Sequence, residues 1–151
     1  MITENQIHLH ATAKTQEEVF STIAEIAVQN GIATDAERVM AGLKEREAQS
    51  TTGFLDGFAI PHTQAETITQ PGIIVVRTEQ GIDWDSFDDQ PAFFFISLLI
   101  PKEEAGSTHL QALAALSSAL MDDEKRDGFL QAQTARELSE KINLAITGDD
   151  N

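Results

Sequence analysis

Apolar residues recur along the chain with two different periods. Four segments place them three or four positions apart, as amphipathic helices do, and each segment begins with a threonine followed three residues later by Glu or Gln. That pairing is a helix-capping signature. It predicts helices that start at Thr15, Thr34, Thr108 and Thr134. A further short helix is predicted from residue 123 to about residue 131.

Strand-length apolar runs lie between the predicted helices. Residues 72–78 (GIIVVRT) and 92–100 (AFFFISLLI) are almost continuously apolar, residues 7–10 form a candidate edge strand, and 80–85 read as a turn or short strand. Continuous apolar strands are typical of a sheet covered on both faces. The pattern therefore predicts an α/β (α+β) fold: a three-layer α/β/α sandwich whose mixed sheet of about four to five strands is flanked by helices. We expect a single domain over residues 1–147 and a disordered tail at 148–151.

Charge and composition narrow the class of partner. The 151 residues carry 25 acidic against 10 basic side chains, a net charge of −15. That balance argues against nucleic acid and against anionic membrane surfaces, and it favours basic protein partners. The absence of cysteine excludes disulfides, thiolate metal sites and a cysteine nucleophile. Because no signal or membrane-spanning pattern is present, we expect a cytoplasmic protein with no membrane insertion.

The sequence GFAIPH at residues 57–62 holds the first candidate for chemistry. Pro61 fixes its own φ and favours an extended Ile60, so His62 follows a rigid segment. Such an imidazole suits chemistry, although a polar surface histidine is the alternative.

Two further residues are candidates for chemistry only in combination with His62. His109 follows Thr108 at the predicted start of a helix, where free N–H groups favour an anion and a neutral ring; a solvated helix-start histidine is the alternative. Arg46 ends the second predicted helix and offers a planar fork for phosphate oxygens; an ordinary helix-end cation is the alternative.

Other groups of residues are weaker candidates for a functional site. His8 and His10 share a face of the candidate edge strand but have no third metal ligand at diagnostic spacing. The acidic loop at 83–89 lacks the spacing of a helix-loop-helix Ca²⁺ site. Ser50 or Ser107 paired with His62 lacks the nucleophile-elbow motif of a hydrolase. We therefore expect no metal site and no cofactor.

Three stretches together carry a resemblance to a known family. REAQSTTGFLDGFAIPH at 46–62 is the most specific of them, and Gly81-Ile82-Asp83-Trp84 and Thr108-His109-Leu110 accompany it. They resemble the EIIA type-2 domain of the fructose–mannitol class of the bacterial phosphoenolpyruvate-dependent sugar phosphotransferase system. The likeness runs roughly over residues 7–146.

The resemblance implies a phosphotransferase with a phosphohistidine intermediate. His62 would accept a phosphoryl group on Nε2 from phospho-HPr, His109 would contact and orient that group, and Arg46 would stabilise it. The phosphoryl group would then pass to a cysteine of an EIIB domain. Because this chain has no cysteine, EIIB would be a separate chain that works with a membrane IIC permease.

Two alternatives to transport remain at this stage. One is a regulatory paralogue of the nitrogen-related type, which binds proteins according to its phosphorylation; the other is a metal-dependent hydrolase. The sequence does not indicate the sugar. Phe54-Leu55-Asp56 departs from the smaller residues usual in the family, which leaves partner fit open.

Overall fold

The computed structural model describes residues 2–104 and 107–147, and the side chains of residues 104–110 lie outside the described set. The predicted tail at 148–151 also lies outside it. Five strands and five helices follow one another along the described chain: β1 (Ile7–Ala11), α1 (Gln16–Gln29), α2 (Ala36–Gln49), β2 (Phe58–Ala59), β3 (His62–Ala65), β4 (Gly72–Ile82), β5 (Ala92–Pro101), α3 (Ser107–Leu120), α4 (Asp123–Gln131) and α5 (Ala135–Thr147). Short 3-10 helices precede β1 and follow β5.

The strands form one mixed sheet. β4 and β5 pair antiparallel at its centre, β1 runs parallel to β4, and β2 and β3 run parallel to β5 one after the other. Phe58 pairs with Phe94 and His62 with Leu98, so β2 and β3 together occupy a single edge of β5. β4 continues to Ile82, so part of the segment predicted as a turn or short strand extends the central strand.

Side chains on the two faces of the sheet enter separate cores. One face packs on α1 and α2, and the other packs on α3, α4 and α5. Successive side chains of the central strands point to opposite faces and so enter different cores. The first core receives Ile74, Val76, Phe95 and Leu99, and the second receives Ile73, Val75, Phe94, Ile96 and Leu98. The predicted three-layer α/β/α arrangement is confirmed. Over the described residues, no helix is both long enough and apolar enough to cross a bilayer.

Two of the predicted helix starts are confirmed. Thr15 accepts a hydrogen bond from the Glu18 backbone N–H at 3.1 Å and opens α1. Thr134 accepts from the Glu137 N–H at 3.1 Å and opens α5. The predicted short helix is α4. The third predicted start is displaced: α3 begins at Ser107, so Thr108 already lies inside the helix, and its side chain is outside the described residues.

The predicted start at Thr34 is wrong, because Asp35 caps α2 instead. The Asp35 carboxylate accepts from the Glu37 and Arg38 N–H groups at 3.0 and 3.3 Å. Thr34 is engaged elsewhere, since its backbone N–H donates to the Thr67 carbonyl at 3.0 Å. A carboxylate one residue later is the stronger acceptor at a helix N-terminus.

Candidate functional site

The last turn of α2 and the start of β3 meet at one edge of the sheet. Gly42 permits this contact, because a Cβ there would come within 2.5 Å of the Thr63 Oγ1. α2 therefore lies directly against β3, and its last turn carries Arg46 and Glu47 to the level of His62.

The segment between α2 and β3 turns back through Gly57. Its φ is +86°, a left-handed conformation that glycine adopts without strain, and a side chain there would collide with the ring of Phe93. After this turn the chain enters β2, and Ile60 and Pro61, both buried, carry it into β3. The Pro61 carbonyl accepts from the Leu98 N–H at 3.1 Å, so the residue before His62 is tied to the central strand β5.

Both ring nitrogens of His62 have hydrogen-bond partners. Nε2 lies 3.2 Å from the Arg46 Nε, and Nδ1 lies 2.8 Å from the Ile60 carbonyl oxygen. A guanidinium only donates and a carbonyl only accepts. The proton of a neutral ring must therefore lie on Nδ1, and the Nε2 lone pair faces Arg46. The arrangement selects the tautomer in which Nε2 carries the free lone pair.

The surroundings of His62 favour the neutral ring. Partial burial of the side chain lowers the pKa of His62 below the ordinary value of 6.5, while the hydrogen bond to the Ile60 carbonyl raises that pKa. The charge of Arg46 lowers the pKa further, and that of Glu47 raises it. The balance is a lowered pKa, which keeps the Nε2 lone pair available near neutral pH despite the negative net charge of the chain.

Arg46 is held in a fixed orientation beside the histidine. Its Nη1 donates to the Ser50 carbonyl at 2.7 Å while its Nε faces His62. The two residues line an open groove of about 350 Å³ together with Glu45, Gln49 and Gln64. An anion that enters this groove meets a guanidinium and an unprotonated imidazole nitrogen. Among the described side chains, no serine hydroxyl bonds either nitrogen of His62, so Ser50 gives the hydrolase pairing no support; the Ser107 side chain lies outside the described residues.

The structure brings together two of the three predicted site residues. Arg46 and His62 are in direct contact, whereas the His109 side chain lies outside the described residues, and only its place at the start of α3 is given. His8 and His10 are exposed on the edge strand β1, and His10 Nδ1 lies 3.3 Å from the Glu79 carboxylate. Among the described residues, no group of three or more His, Asp or Glu side chains is placed to hold a metal ion.

The acidic loop at 83–89 is internally hydrogen-bonded. The Asp88 carboxylate accepts from the Asp56 N–H at 3.0 Å and from the Ser86 hydroxyl at 3.2 Å. The first of these bonds is the main cause of the lowered pKa of Asp88. The loop thus braces the segment that leads to His62.

Glu47 and Thr52 are site residues that sequence reasoning missed. Both residues lie in the stretch at 46–62, where only Arg46 and His62 are predicted to act. Their side chains meet because the chain turns sharply after α2, and spacing alone gives no signal of such a contact.

A larger open cleft of about 700 Å³ lies at the other edge of the sheet, beside Arg77. The Arg77 guanidinium donates to the Ala132 carbonyl at 3.1 Å and lies over the Phe94 ring, 5.8 Å from its centroid. Arg77 therefore joins the sheet to the start of the α4–α5 connection. His10 also lines this cleft, but it pairs with the Glu79 carboxylate and not with Arg77.

Comparison with known proteins identifies the family. The family model described as "Phosphoenolpyruvate-dependent sugar phosphotransferase system, EIIA 2" matches residues 1–144. The chain belongs to this EIIA 2 family. It is 33% identical over 136 residues to the PTS system fructose-specific EIIA component of Haloferax volcanii, with 90% of this chain and 88% of that protein covered.

Two further similarities widen the context of this EIIA chain. It is 32% identical over 143 residues to the fructose-specific EIIABC component of Bacillus subtilis, which covers 95% of this chain but only 22% of that much longer protein. The crystal structure of the nitrogen regulatory protein IIA-Ntr from Neisseria meningitidis superposes with a TM-score of 0.84 at 23% identity, covering 93% and 94% of the two chains. Proteins named as sugar-specific and a protein named as nitrogen-regulatory are thus both among those that this chain resembles.

Proposed function

We propose that this EIIA chain is a phosphocarrier of a sugar phosphotransferase system, with His62 as the residue phosphorylated on Nε2. The observation that carries the proposal is the pair of contacts on the imidazole: Nδ1 to the Ile60 carbonyl and Nε2 to the Arg46 guanidinium. Together they support a neutral ring whose attacking nitrogen already lies beside a cation.

The transfer step needs neither a metal nor an external base. The Nε2 lone pair of His62 forms the new N–P bond while the bond between phosphorus and the donor nitrogen breaks. The ring keeps its proton on Nδ1 and gains positive charge as the bond forms. The Ile60 carbonyl accepts the Nδ1–H bond that this charge strengthens, so the backbone stabilises the product side of the step.

Arg46 has a different task in the same step. Its Nε–H must leave the lone pair of Nε2 when phosphorus approaches, and the nearest new acceptors are then the phosphoryl oxygens. The bond of Nη1 to the Ser50 carbonyl keeps the guanidinium beside the ring during this exchange. His109 is proposed as the second histidine that contacts the phosphoryl group, which follows from its match to the family motif.

The proposed donor is phospho-HPr and the proposed acceptor is a cysteine of an EIIB domain. Two facts support the acceptor: these 151 residues contain no cysteine of their own, and a relative is named as an EIIABC component. A membrane IIC permease would complete the pathway for a sugar that remains unassigned. The proposed place of action is the cytoplasm.

The test is labelling of the purified chain by phosphoenolpyruvate, enzyme I and HPr. We expect incorporation of one phosphoryl group into the wild-type chain and none into His62→Ala. His8→Ala serves as the matched control, because His8 is an exposed histidine on the opposite edge of the sheet, and it should be labelled normally. Labelling that survives in His62→Ala would overturn the proposal.

A regulatory role is the second candidate, because proteins named as nitrogen regulatory are among the sequence relatives of this chain. The chemistry at His62 would be the same, and only the destination of the phosphoryl group would differ. Transfer from the labelled chain to a purified EIIB domain supports transport. Failure of that transfer, combined with phosphorylation-dependent binding to a protein outside the transport pathway, supports regulation.

A further inference from the structure

The carboxylate of Glu47 holds the residue five positions later at two points. Its Oε2 accepts from the Thr52 backbone N–H at 2.9 Å, and its Oε1 accepts from the Thr52 hydroxyl at 2.5 Å. Thr52 is 5% exposed and Glu47 is half-buried, so solvent competes poorly for these bonds. This clamp joins the last turn of α2 to the segment that returns toward the sheet.

The clamp continues to the imidazole through two further hydrogen bonds. The Thr52 carbonyl accepts from the Ile60 N–H at 2.9 Å, and the Ile60 carbonyl lies 2.8 Å from His62 Nδ1. Arg46, the neighbour of Glu47, contacts Nε2 of the same ring. One helical turn therefore reaches both nitrogens of His62, directly on one side and through Thr52 and Ile60 on the other.

We propose that Glu47 is a positioning residue that acts through Thr52 and Ile60 to hold His62 in the Nδ1–H tautomer with Nε2 directed toward the groove. The effect on phosphoryl transfer rests on the proposed function, whereas the effect on the tautomer does not. Glu47 bonds Thr52, and neither ring nitrogen of His62 bonds it, so it is a positioning and not a catalytic residue.

The local backbone explains why such a clamp is needed. β2 has only two residues, Phe58 and Ala59, and Pro61 has no N–H to donate. Few backbone bonds thus fix the carbonyl of Ile60, and the bond from its N–H to Thr52 is one of them. This carbonyl is the acceptor that holds the proton on Nδ1 while Arg46 faces Nε2, so a shift of the carbonyl weakens the preference for the Nδ1–H tautomer.

The negative charge of Glu47 also favours the reaction at His62. Among the described groups, Arg46 and Glu47 are the two charges that act on His62, and they oppose each other. Glu47 offsets part of the cost of the positive charge that develops on the ring when Nε2 attacks. Neutralising Glu47 while keeping its hydrogen bonds separates this effect from the clamp.

The experiment compares Glu47→Ala, Glu47→Gln and Thr52→Val, with Glu37→Gln as the control that removes the same charge from the exposed first turn of α2. Nitrogen-15 NMR of the imidazole gives the tautomer and pKa of His62, and single-turnover labelling by phospho-HPr gives the rate. Glutamine can accept from the Thr52 N–H and donate to its hydroxyl, so it should preserve the clamp.

In Glu47→Ala we expect a measurable Nε2–H population and a labelling rate at least about tenfold lower. Glu47→Gln should keep the wild-type tautomer, lower the pKa of His62 and stay within about threefold of the wild-type rate, while Glu37→Gln changes nothing. Thr52→Val should shift the tautomer partway, which preserves the test if Glu47→Ala does not fold. A wild-type tautomer in folded Glu47→Ala, or in Thr52→Val if that alanine variant is unfolded, overturns the proposal. If the wild-type chain is not labelled at all, the proposed function fails, and the tautomer result still decides the role of Glu47.

Discussion

The Arg126 guanidinium of α4 donates its Nε–H to the Asp56 carboxylate at 3.0 Å, across the turn that leads to His62. The Arg126 side chain is only 8% exposed, and its Nη1 also donates to the Leu120 carbonyl at the end of α3 at 2.7 Å. One buried cation thus joins α3, α4 and the segment before β2. Asp56 belongs to the Phe54-Leu55-Asp56 departure from the family pattern, and this ion pair accommodates its charge.

Substitutions of Asp56 should separate the contribution of its charge to stability from the contribution of its backbone conformation. Asp56 has a φ of +56°, which asparagine tolerates and alanine does not. We expect Asp56→Asn to lower the free energy of unfolding by about 1 kcal/mol through the weakened bond to Arg126, and Asp56→Ala to lower it by about 2 kcal/mol. Urea denaturation measures both, with the exposed Glu124→Gln as the charge control. Equal stabilities of the asparagine and alanine variants would show that the left-handed backbone carries no cost.

Most of the fold was predictable from local pattern, and the site was predictable only in part. Apolar runs indicated β4 and β5 because both strands are covered on two faces, and threonine caps indicated α1 and α5. The start of α2 was mispredicted because Thr34 and Asp35 compete for one cap, a choice that the distant partner Thr67 decides. The sequence motif indicated His62 and Arg46, but not the clamp from Glu47, because contacts made by a turn in space leave no periodic trace.

The pH dependence of labelling should reflect the lowered pKa of His62. Burial holds this pKa below 6.5, so the ring stays neutral to lower pH than an exposed imidazole. We expect the labelling rate to fall on the acid side with a midpoint below pH 6.5. A midpoint at or above 6.5 in the wild-type chain would contradict the burial argument.

The lowered pKa of His62 also predicts the direction in which stability changes with pH. Because the native pKa is lower than the unfolded one, the unfolded chain binds more protons between the two values, and stability rises with pH across that window. Relative to His62→Gln, the wild-type chain should therefore lose stability as the pH falls from about 6.5 toward the native pKa. Denaturant midpoints of the two chains across this range measure the difference, and a gap independent of pH would refute it.

Replacement of Arg46 by lysine should separate charge from geometry. Arg46 bonds His62 through Nε and the Ser50 carbonyl through Nη1, and an ammonium cannot reproduce this fork. Arg46→Lys should keep much of the electrostatic lowering of the His62 pKa, yet reduce the labelling rate by about tenfold to a hundredfold. Arg46→Gln should both raise the pKa of His62 and reduce the labelling rate. A lysine variant with the wild-type rate would show that a point charge is enough.

Salt should stabilise this chain. A net charge of −15 creates self-repulsion in the compact state, and counterions screen it. We expect Tm to rise by about 5 °C or more between about 0.05 and about 1 M salt, equally for NaCl and KCl. Sorbitol at matched osmolality controls for general solute effects and should produce a smaller rise. A Tm that does not change over this range would mean that the acidic groups are too dispersed to repel each other appreciably.

The contact of α2 with β3 should fail when Gly42 gains a side chain and recover when Thr63 loses its own. Gly42→Ala adds helix propensity worth about 1 kcal/mol, but its Cβ would press on the Thr63 side chain, and overpacking of this kind costs about 1–3 kcal/mol. We expect a net loss of stability together with a slower labelling of His62, because β3 is displaced from Arg46.

The double variant Gly42→Ala/Thr63→Ala decides whether this collision is the cause. It removes the Thr63 Oγ1 and Cγ2 and leaves only the Cβ of residue 63, at 3.2 Å from the added methyl group. Within the Thr63→Ala background the Gly42→Ala change should therefore be neutral or stabilising by up to about 1 kcal/mol, and the labelling rate should recover. Gly128→Ala on α4 is the matched control, since its added Cβ would meet only the Lys141 Nζ at 3.9 Å. If the double variant is as slow as Gly42→Ala, then the close approach of α2 to β3 is not what places Arg46 against His62.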